Sequence, residues 1–261
     1  MPFESHLSRI TEELQRDKIL AEQQDLMTGK FLYIPQGPFY SGAMRETIGD
    51  LNCLVRPGES EGMNVVLLHG YGADNSDLFS LAEMLDPEGN WSFYFPNAPH
   101  EVPVGPGWTG RGWFPISLRE LEVGIDFTQI RPPGLDESAN LVSDLIFHLN
   151  SKKLILGGFS QGSMIATDVS LRQPEDIAGL VLYSPTMLDE KHWLTKASGM
   201  QSKKILLSHG TSDPVLPFSG AQRLYEMFKN AGAEIQMVSF SGGHEIPTPV
   251  LKKTKELLEQ I

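Results

Sequence analysis

Residues 154–172 read LILGGFSQGSMIATDVSLR, and this stretch decides the fold class. Leu154–Leu156 is an apolar run of the kind found in buried strands, while Gln161–Arg172 repeats apolar residues at helical spacing. Between them lies Ser160, with a glycine two residues away on each side. A serine on a tight turn from a strand into a helix needs such neighbours, because a Cβ there would collide with the adjoining backbone. The stretch therefore predicts a strand, a strained turn carrying a serine, and a helix.

The rest of the chain alternates predicted strands with predicted helices. The strands are 64–68, 91–95, 178–183, 203–208 and 234–240; the helices are one capped by Ser76 and ending at 86–87, then 135–150, 217–231 and 248–261. Fully apolar strands separated by helices are typical of parallel sheets that are covered on both faces. We therefore expect an α/β fold with a doubly wound, mostly parallel sheet. Residues 96–133, rich in proline and glycine, predict a long loop, and residues 184–200 predict an irregular segment.

Residues 1–50 are predicted to form an N-terminal extension that packs on a catalytic domain spanning residues 51–261. The apolar spacing in residues 5–28 indicates a polar, weakly amphipathic helix. Residues 31–60 mix aromatic and β-branched residues with glycine and proline, which favours two or three short strands at an antiparallel edge of the sheet. Two roles stay open for the helix: a strap on its own domain, or an arm that holds a homodimer together.

Composition excludes several classes of function. The net charge of −12 would repel nucleic acid and anionic membrane surfaces. No apolar run approaches the roughly 20 residues that span a bilayer, and no secretory signal precedes the first strands, so we expect no stable membrane insertion and a cytoplasmic location. Cys53 is the single cysteine, which excludes an intramolecular disulfide. No metal-binding, dinucleotide-binding or P-loop spacing is present, so we expect no metal and no cofactor.

Polar side chains follow the carboxyl ends of the predicted strands, where sites gather in such sheets. Ser160, Asp213 and His244 occur there in that order. A serine hydroxyl needs a base to take its proton, and an imidazole base needs a carboxylate to hold its tautomer. The pattern predicts Ser160 as nucleophile, His244 as base and Asp213 as acid, with Asp189 as the alternative acid. His69 and His209 also end strands, and we interpret both as structural.

An oxyanion hole requires backbone N–H groups where negative charge develops. One donor is expected from Gln161, the residue after the nucleophile, at the start of a helix. The second is expected from the Gly-Tyr-Gly turn after the first buried strand, and we assign it to Tyr71.

These blocks resemble the carboxylesterase/phospholipase family that includes the acyl-protein thioesterases. The matching stretches are LLHGYGADNSDLFSLAEML, FPNAPHEVPV, GWFPI, GGFSQGSMIA, LVLYSP, LLSHGTSDPVLPFSGA and GGHEIP. The resemblance implies a compact α/β-hydrolase fold without a large cap domain, the same triad and the same oxyanion hole. It also implies that Trp113 borders the acyl pocket. The sequence departs from the family in residues 1–50, in the GPGWTGRG insertion at residues 105–112, and at Ser163, where the family has glycine.

The sequence thus predicts a serine hydrolase that cleaves carboxylic esters, of short to medium acyl chain length, through an acyl-enzyme. The partner expected is a small-molecule ester or thioester. Trp113 and Phe114 are the predicted pocket residues, and Trp108 and Trp193 are further aromatic candidates. Alternatives are a lysophospholipase or an acyl-protein thioesterase and, more distantly, a non-catalytic binding module on the same fold.

Overall fold

The computed structural model of the protein describes residues 43–59, 62–105, 107–116 and 126–261. An eight-stranded sheet forms the centre of the described chain. Its strands are β1 (Met44–Ile48), β2 (Leu51–Arg56), β3 (Asn64–Leu68), β4 (Ser92–Pro96), β7 (Leu154–Phe159), β8 (Gly179–Tyr183), β9 (Lys204–Gly210) and β10 (Glu234–Phe240). The α-helices are α1 (Ser80–Leu85), α2 (Leu135–Leu149), α3 (Gln161–Arg172), α4 (Glu190–Lys196), α5 (Phe218–Asn230) and α6 (Thr248–Leu258).

The spatial order of the strands is β1-β2-β4-β3-β7-β8-β9-β10. Strands β1 and β2 pair antiparallel, as do β2 and β4, and every later pair is parallel. The predicted mostly parallel sheet with an antiparallel edge is therefore confirmed. Strand β7, which leads into Ser160, lies between β3 and β8, so the predicted nucleophile stands near the middle of the sheet.

Both faces of the sheet are covered, which explains why its central strands are apolar throughout. One buried cluster joins the sheet to α2, α3, α4 and α5, and a second joins the opposite face to α1 and α6. All six residues of β7 are buried, as are all five of β8. The doubly wound arrangement thus fixes the carboxyl ends of β3, β7, β8 and β9 along one edge.

Two predicted irregular regions contain regular structure. Within residues 96–133, strands β5 (His100–Gly105) and β6 (Trp108–Gly112) form a separate antiparallel hairpin. Within residues 184–200, α4 is followed by a short 3-10 helix. The expectation of irregular structure was wrong for both. In the first region, glycine and proline at the hairpin tip hide the strand pattern around them.

The start of α1 also differs from the prediction. The helix begins at Ser80, and its N-cap position is Phe79. The hydroxyl of Ser76 donates to Oδ1 of Asp74, so it closes a turn ahead of the helix and does not cap it.

The helix predicted over residues 5–28 lies outside the described residues. Strand β1 belongs to the stretch predicted as an extension, and it pairs along its whole length with β2. The division of the chain at residue 50 stays a prediction. Among the helices in the described ranges, none is long and apolar enough to cross a membrane.

Candidate active site

Ser160 occupies a strained turn between β7 and α3. Its backbone angles are φ 53° and ψ −118°, a region that a non-glycine residue adopts only when the surrounding structure enforces it. The neighbouring glycines show what enforces it. A Cβ on Gly158 would stand 2.5 Å from the carbonyl carbon of Gly162, and a Cβ on Gly162 would collide with the carbonyl oxygen of Leu68. The turn therefore packs directly against the end of β3.

Hydrogen bonds hold the Ser160 backbone from two sides. Its N–H donates to the carbonyl of Tyr183 at 2.9 Å, which ties the turn to the end of β8. The hydroxyl of Ser163 donates to the Ser160 carbonyl at 2.5 Å. Ser163 is fully buried, and its hydroxyl stabilises the first turn of α3. The serine side chain itself is 9% exposed and faces a cavity.

Asp213 lies in the loop after β9 with a fully buried carboxylate. Oδ1 accepts hydrogen bonds from the backbone N–H groups of Val215 and Leu216, at 2.8 and 3.0 Å. Oδ2 lies 2.7 Å from Nδ1 of His244. Burial raises the pKa of Asp213, but hydrogen bonds from His209 and His244 outweigh it, so the net pKa lies below its ordinary value. The carboxylate is therefore ionised at neutral pH.

His244 follows β10, and the Asp213 carboxylate orients its ring. With Nδ1 donating to the carboxylate, the neutral imidazole presents Nε2 as its acceptor nitrogen. Nε2 is buried and makes no hydrogen bond within the described part of the chain. The ring packs against Phe159, the residue before Ser160, with centroids 4.7 Å apart. The structure thus joins Asp213 to His244 and sets His244 beside the serine turn, with a proton-accepting nitrogen unused.

A second histidine reaches the same carboxylate. Nε2 of His209 lies 3.2 Å from Oδ2 of Asp213 and 2.9 Å from the carbonyl oxygen of Leu216. The side chain of His209 is fully buried. The sequence predicts a structural role for His209 at a strand end, and no spacing in it indicates the contact with Asp213.

The turn after β3 carries the predicted oxyanion donor Tyr71, and His69 fixes that turn. Nδ1 of His69 donates to the Gly70 carbonyl at 2.7 Å, and Nε2 accepts from the N–H of Ala98 at 3.1 Å. Burial lowers the pKa of His69 to about 4, so the ring is neutral at neutral pH. The structural role predicted for His69 agrees with these contacts.

The β5–β6 hairpin backs the same turn. Gly72 donates its N–H to the Arg111 carbonyl at 2.7 Å, and the Arg111 N–H donates to the Ala73 carbonyl at 2.8 Å. The approach is close enough that a Cβ on Gly110 would collide with the carbonyl oxygen of Gly72. Strand β6 (Trp108–Gly112) therefore holds the turn that carries Tyr71.

Gln161 begins α3, where the first N–H groups of a helix have no partner within the helix. Its backbone is thus placed to donate toward the cavity that Ser160 and Tyr71 also line. Its side chain has a separate task that the sequence did not reveal. Oε1 accepts from the N–H of Trp113 at 2.8 Å, and Nε2 donates to the carbonyl of Phe114 at 2.7 Å. The amide thereby fixes the segment after β6 to the helix.

The cavity at this edge of the sheet has a volume of about 390 Å³. Its apolar lining includes Ile116, Phe127, Met164, Met187, Val215 and Leu216. Its polar lining includes Asp126, Thr128, Thr186, Ser219 and Arg223. Ser160 and Asp213 both contribute to its wall, so the cavity opens onto the predicted nucleophile.

The aromatic residues predicted to line the pocket lie elsewhere. Trp113 and Phe114 are fully buried and are not among the residues that line the cavity. Trp113 instead donates its ring N–H to the carbonyl of His69 at 2.9 Å, so it supports the turn after β3. Trp193 is fully buried and donates to Asp168, while Trp108 is 75% exposed at the hairpin. Methionine and aliphatic side chains supply most of the apolar wall in their place, together with Phe127.

Asp189, the alternative acid, belongs to a different group of charges. Its Oδ2 lies 3.2 Å from Nη1 of Arg131, which also contacts the buried Asp168 of α3 at 3.1 Å. Asp213, not Asp189, is therefore the carboxylate at His244. Across the described ranges, no cluster of three or more His, Cys, Asp or Glu side chains could hold a metal ion.

The chain is similar in sequence and fold to several known proteins. The acyl-protein thioesterase 1 of Mycosarcoma maydis is 29% identical over 189 residues, which cover 67% of this chain and 79% of that protein. The acyl-protein thioesterase 1 of Candida albicans is 27% identical over 225 residues, which cover 78% of this chain and 95% of that protein. The solved structure of esterase PE8 superposes with a TM-score of 0.70 at 28% identity and covers 81% of this chain and 99% of its own.

The profile of the phospholipase/carboxylesterase family matches residues 51–261, which is the whole chain from β2 onward. The sheet and its covering helices have the α/β-hydrolase architecture of the solved relative. On this match and this architecture, the chain belongs to the phospholipase/carboxylesterase family of α/β hydrolases and is a hydrolase of ester or thioester bonds.

Proposed function

We propose that the protein hydrolyses carboxylic esters of short to medium acyl chain length through a Ser160–His244–Asp213 triad. The observation that carries the proposal is the pairing of Nδ1 of His244 with a buried, ionised Asp213 beside the strained Ser160 turn. The strain at Ser160 supports catalysis over a non-catalytic binding module, because such backbone strain persists chiefly where function depends on it.

In the first step, Ser160 Oγ attacks the carbonyl carbon of the ester, and its proton moves to Nε2 of His244. Asp213 stabilises the imidazolium that forms, because its carboxylate accepts a hydrogen bond from Nδ1–H and stays ionised. The carbonyl oxygen becomes an oxyanion, which the backbone N–H groups of Tyr71 and Gln161 stabilise. His244 then gives its proton to the leaving alkoxide, and the alcohol departs from an acyl-enzyme.

The second step reverses these roles. A water molecule gives a proton to His244 and attacks the acyl carbon. The intermediate collapses, His244 returns the proton to Ser160 Oγ, and the carboxylic acid leaves. Each turnover therefore consumes one water and needs no metal or cofactor.

The cavity supports a short to medium acyl chain. Its volume of about 390 Å³ lies near the lower end of the roughly 300–1,000 Å³ of small-molecule sites. Met164, Met187 and Leu216 offer apolar contacts, whereas Asp126 and Arg223 introduce charge on the same wall. Arg223 is already paired with Glu190, at 3.1 Å from Nε to Oε1. A long alkyl chain would have to displace or desolvate these charges.

The second candidate is an acyl-protein thioesterase or a lysophospholipase. The observation that favours the thioesterase is the name carried by the curated relatives from Mycosarcoma maydis and Candida albicans. The same triad chemistry serves a thioester, with a thiol leaving in place of an alcohol. The shape and lining of the cavity, rather than the triad, therefore decide which of the candidate substrates the protein prefers.

Hydrolysis of a chain-length series of nitrophenyl esters, run beside one long-chain acyl thioester, tests this proposal. We expect kcat/KM to be highest for short to medium chains and Ser160→Ala to abolish turnover of every substrate. A maximum for chains longer than about ten carbons, or a preference for the thioester, would favour the second candidate. A Met187→Ala variant is expected to shift the preferred chain length upward, since Met187 narrows the cavity wall.

A further inference from the structure

Two histidine rings contact the same carboxylate oxygen, Oδ2 of Asp213. Nδ1 of His244 lies 2.7 Å from this oxygen, and Nε2 of His209 lies 3.2 Å from it. The other carboxylate oxygen, Oδ1, is occupied by two backbone N–H groups. His209 comes from β9 and His244 from the loop after β10, so two elements of the sheet converge on one oxygen atom.

The protonation of His209 follows from its neighbours. The atoms within reach of its Nε2 are the Leu216 carbonyl oxygen, at 2.9 Å, and the Asp213 carboxylate oxygen. Both are acceptors, so Nε2 must carry the proton. Nδ1 is buried and has no hydrogen-bond partner among the described residues, which favours the neutral ring. His209 therefore acts as a fixed, neutral donor to the carboxylate.

We propose that His209 is a positioning residue of the triad, which holds Oδ2 of Asp213 toward His244 and withdraws part of the negative charge of that oxygen. A hydrogen bond to an ionised carboxylate lowers the affinity of that carboxylate for a proton, and the bond from His209 lowers the pKa of Asp213 in this way. His209 therefore limits how firmly Asp213 holds His244 in its protonated form. Without His209, the full charge of that oxygen would act on His244 alone.

The surroundings of these three side chains contain few competing charges. The titratable groups in contact with the Asp213 carboxylate are His209 and His244. Phe218 of α5 packs on the His209 ring at 5.9 Å, and Phe159 of β7 packs on His244 at 4.7 Å. Glu245 is exposed, and its Oε1 accepts from the N–H of Gly243 at 3.3 Å. A Glu245→Gln variant therefore controls for the charge next to His244.

This inference rests on the proposed function, and its first test is the pH dependence of kcat/KM for an ester substrate. His209→Phe keeps a ring of similar size and removes the donor. We expect the acidic limb of the profile to move to higher pH, and kcat to fall about tenfold with little change in KM. His209→Gln can place an N–H near the position of Nε2, so it is expected to restore much of the wild-type profile.

A purely structural role would give a different result. Loss of packing would lower the active fraction and the melting temperature but leave the position of the acidic limb unchanged. An unshifted limb in folded His209→Phe therefore overturns the proposal, as does a His209→Gln variant no closer to wild type. In an Asp213→Asn background, His209→Phe is expected to produce no further shift, because the shared oxygen no longer carries charge.

A second measurement needs neither a variant of His209 nor turnover. Nitrogen-15 NMR of the histidine rings in Ser160→Ala protein reports which nitrogen carries the proton. We expect the His209 proton on Nε2, the nitrogen that faces two acceptor oxygens. Protonation at Nδ1 instead would contradict the proposal. Because this result does not depend on activity, an inactive wild type would refute the proposed function without deciding the role of His209.

Discussion

Nδ1 of His244 lies 2.7 Å from Oδ2 of Asp213, across 31 residues of chain. The contact makes Nε2 the acceptor nitrogen of the neutral ring, and the ring packs against the residue before Ser160. Two loops that follow neighbouring strands, β9 and β10, meet here, because parallel strands end at one edge of the sheet. The relationship makes the function of His244 depend on the charge and orientation of Asp213.

Replacing Asp213 with Asn tests that dependence. The Asn amide can keep the two backbone donors on its oxygen, but its NH₂ then faces the N–H groups of His209 and His244. His244 would have to present the wrong tautomer, so we expect kcat to fall about 10³- to 10⁴-fold with a smaller change in KM. Steady-state kinetics on the preferred ester measures both parameters.

Asp189→Asn is the matched control, because Asp189 was the alternative acid and pairs with Arg131 instead. We expect its kcat/KM to stay within about threefold of wild type, as removal of one partly exposed ion pair has small effects. A larger loss of kcat/KM in Asp189→Asn than in Asp213→Asn would contradict the assignment of Asp213 as the acid.

The close packing of the serine turn predicts a strong effect of one methyl group. Gly162→Ala places a Cβ against the carbonyl oxygen of Leu68, so the turn must move away from β3. We expect the free energy of unfolding to fall by about 3 kcal/mol or more and ester hydrolysis to be lost. Gly105→Ala at the hairpin tip adds a methyl group in open space and is the control. Equal stability of the two variants, by urea unfolding, would contradict the packing argument.

The side chain of Gln161 is predicted to stabilise the cavity edge independently of its backbone N–H. Gln161→Ala leaves the Trp113 N–H and the Phe114 carbonyl without these buried partners. We expect a loss of about 2–5 kcal/mol in the free energy of unfolding. Gln161→Glu should lose at least as much, since its carboxylate is buried and faces the Phe114 carbonyl oxygen with no proton to donate. If the exposed Gln236→Ala control is destabilised as much, the two hydrogen bonds do not have the predicted weight.

His69 predicts a pH dependence of stability. Burial lowers its pKa from 6.5 to about 4, so the unfolded chain binds a proton more readily than the folded chain between these values. The stability that the neutral ring contributes is complete above pH 6.5, declines as the pH falls, and is gone below pH 4. Between pH 7.5 and pH 5 we expect wild type to lose about 2 kcal/mol more than His69→Gln. The measurement is the free energy of unfolding of wild type and of His69→Gln at each pH. If the difference between the two proteins stays constant over this range, the prediction is contradicted.

Much of the fold could be predicted because burial sets the sequence pattern directly. Strands β3 and β10 have their predicted bounds, as does α3, since each is a periodic or fully apolar segment. The β5–β6 hairpin could not be predicted, because its glycines serve the approach of another backbone, as at Gly110, rather than the local strand. The limits of the prediction therefore lie where tertiary contacts choose the residue type.

The site shows the same division. The meeting of Asp213 and His244 near Ser160 could be predicted, because each of the three residues follows a strand in the order that a serine triad requires. Their catalytic roles stay a prediction. The pocket residues could not be predicted, because Trp113 in a loop gives no sign that its ring turns inward to donate to His69. His209 gives no sign either, since a histidine at a strand end has the same sequence signature whether or not it reaches a carboxylate. The oligomeric state and the cytoplasmic location stay predictions.

The central claim is that Ser160 is an activated nucleophile, and a fluorophosphonate probe tests it most directly. The probe forms a covalent bond with serines that a neighbouring base activates. We expect rapid labelling of wild type at pH 7.5, with the adduct on the peptide containing Ser160 by mass spectrometry, and no labelling of Ser160→Ala. No labelling of folded wild type, or equal labelling of Ser160→Ala, would contradict the account.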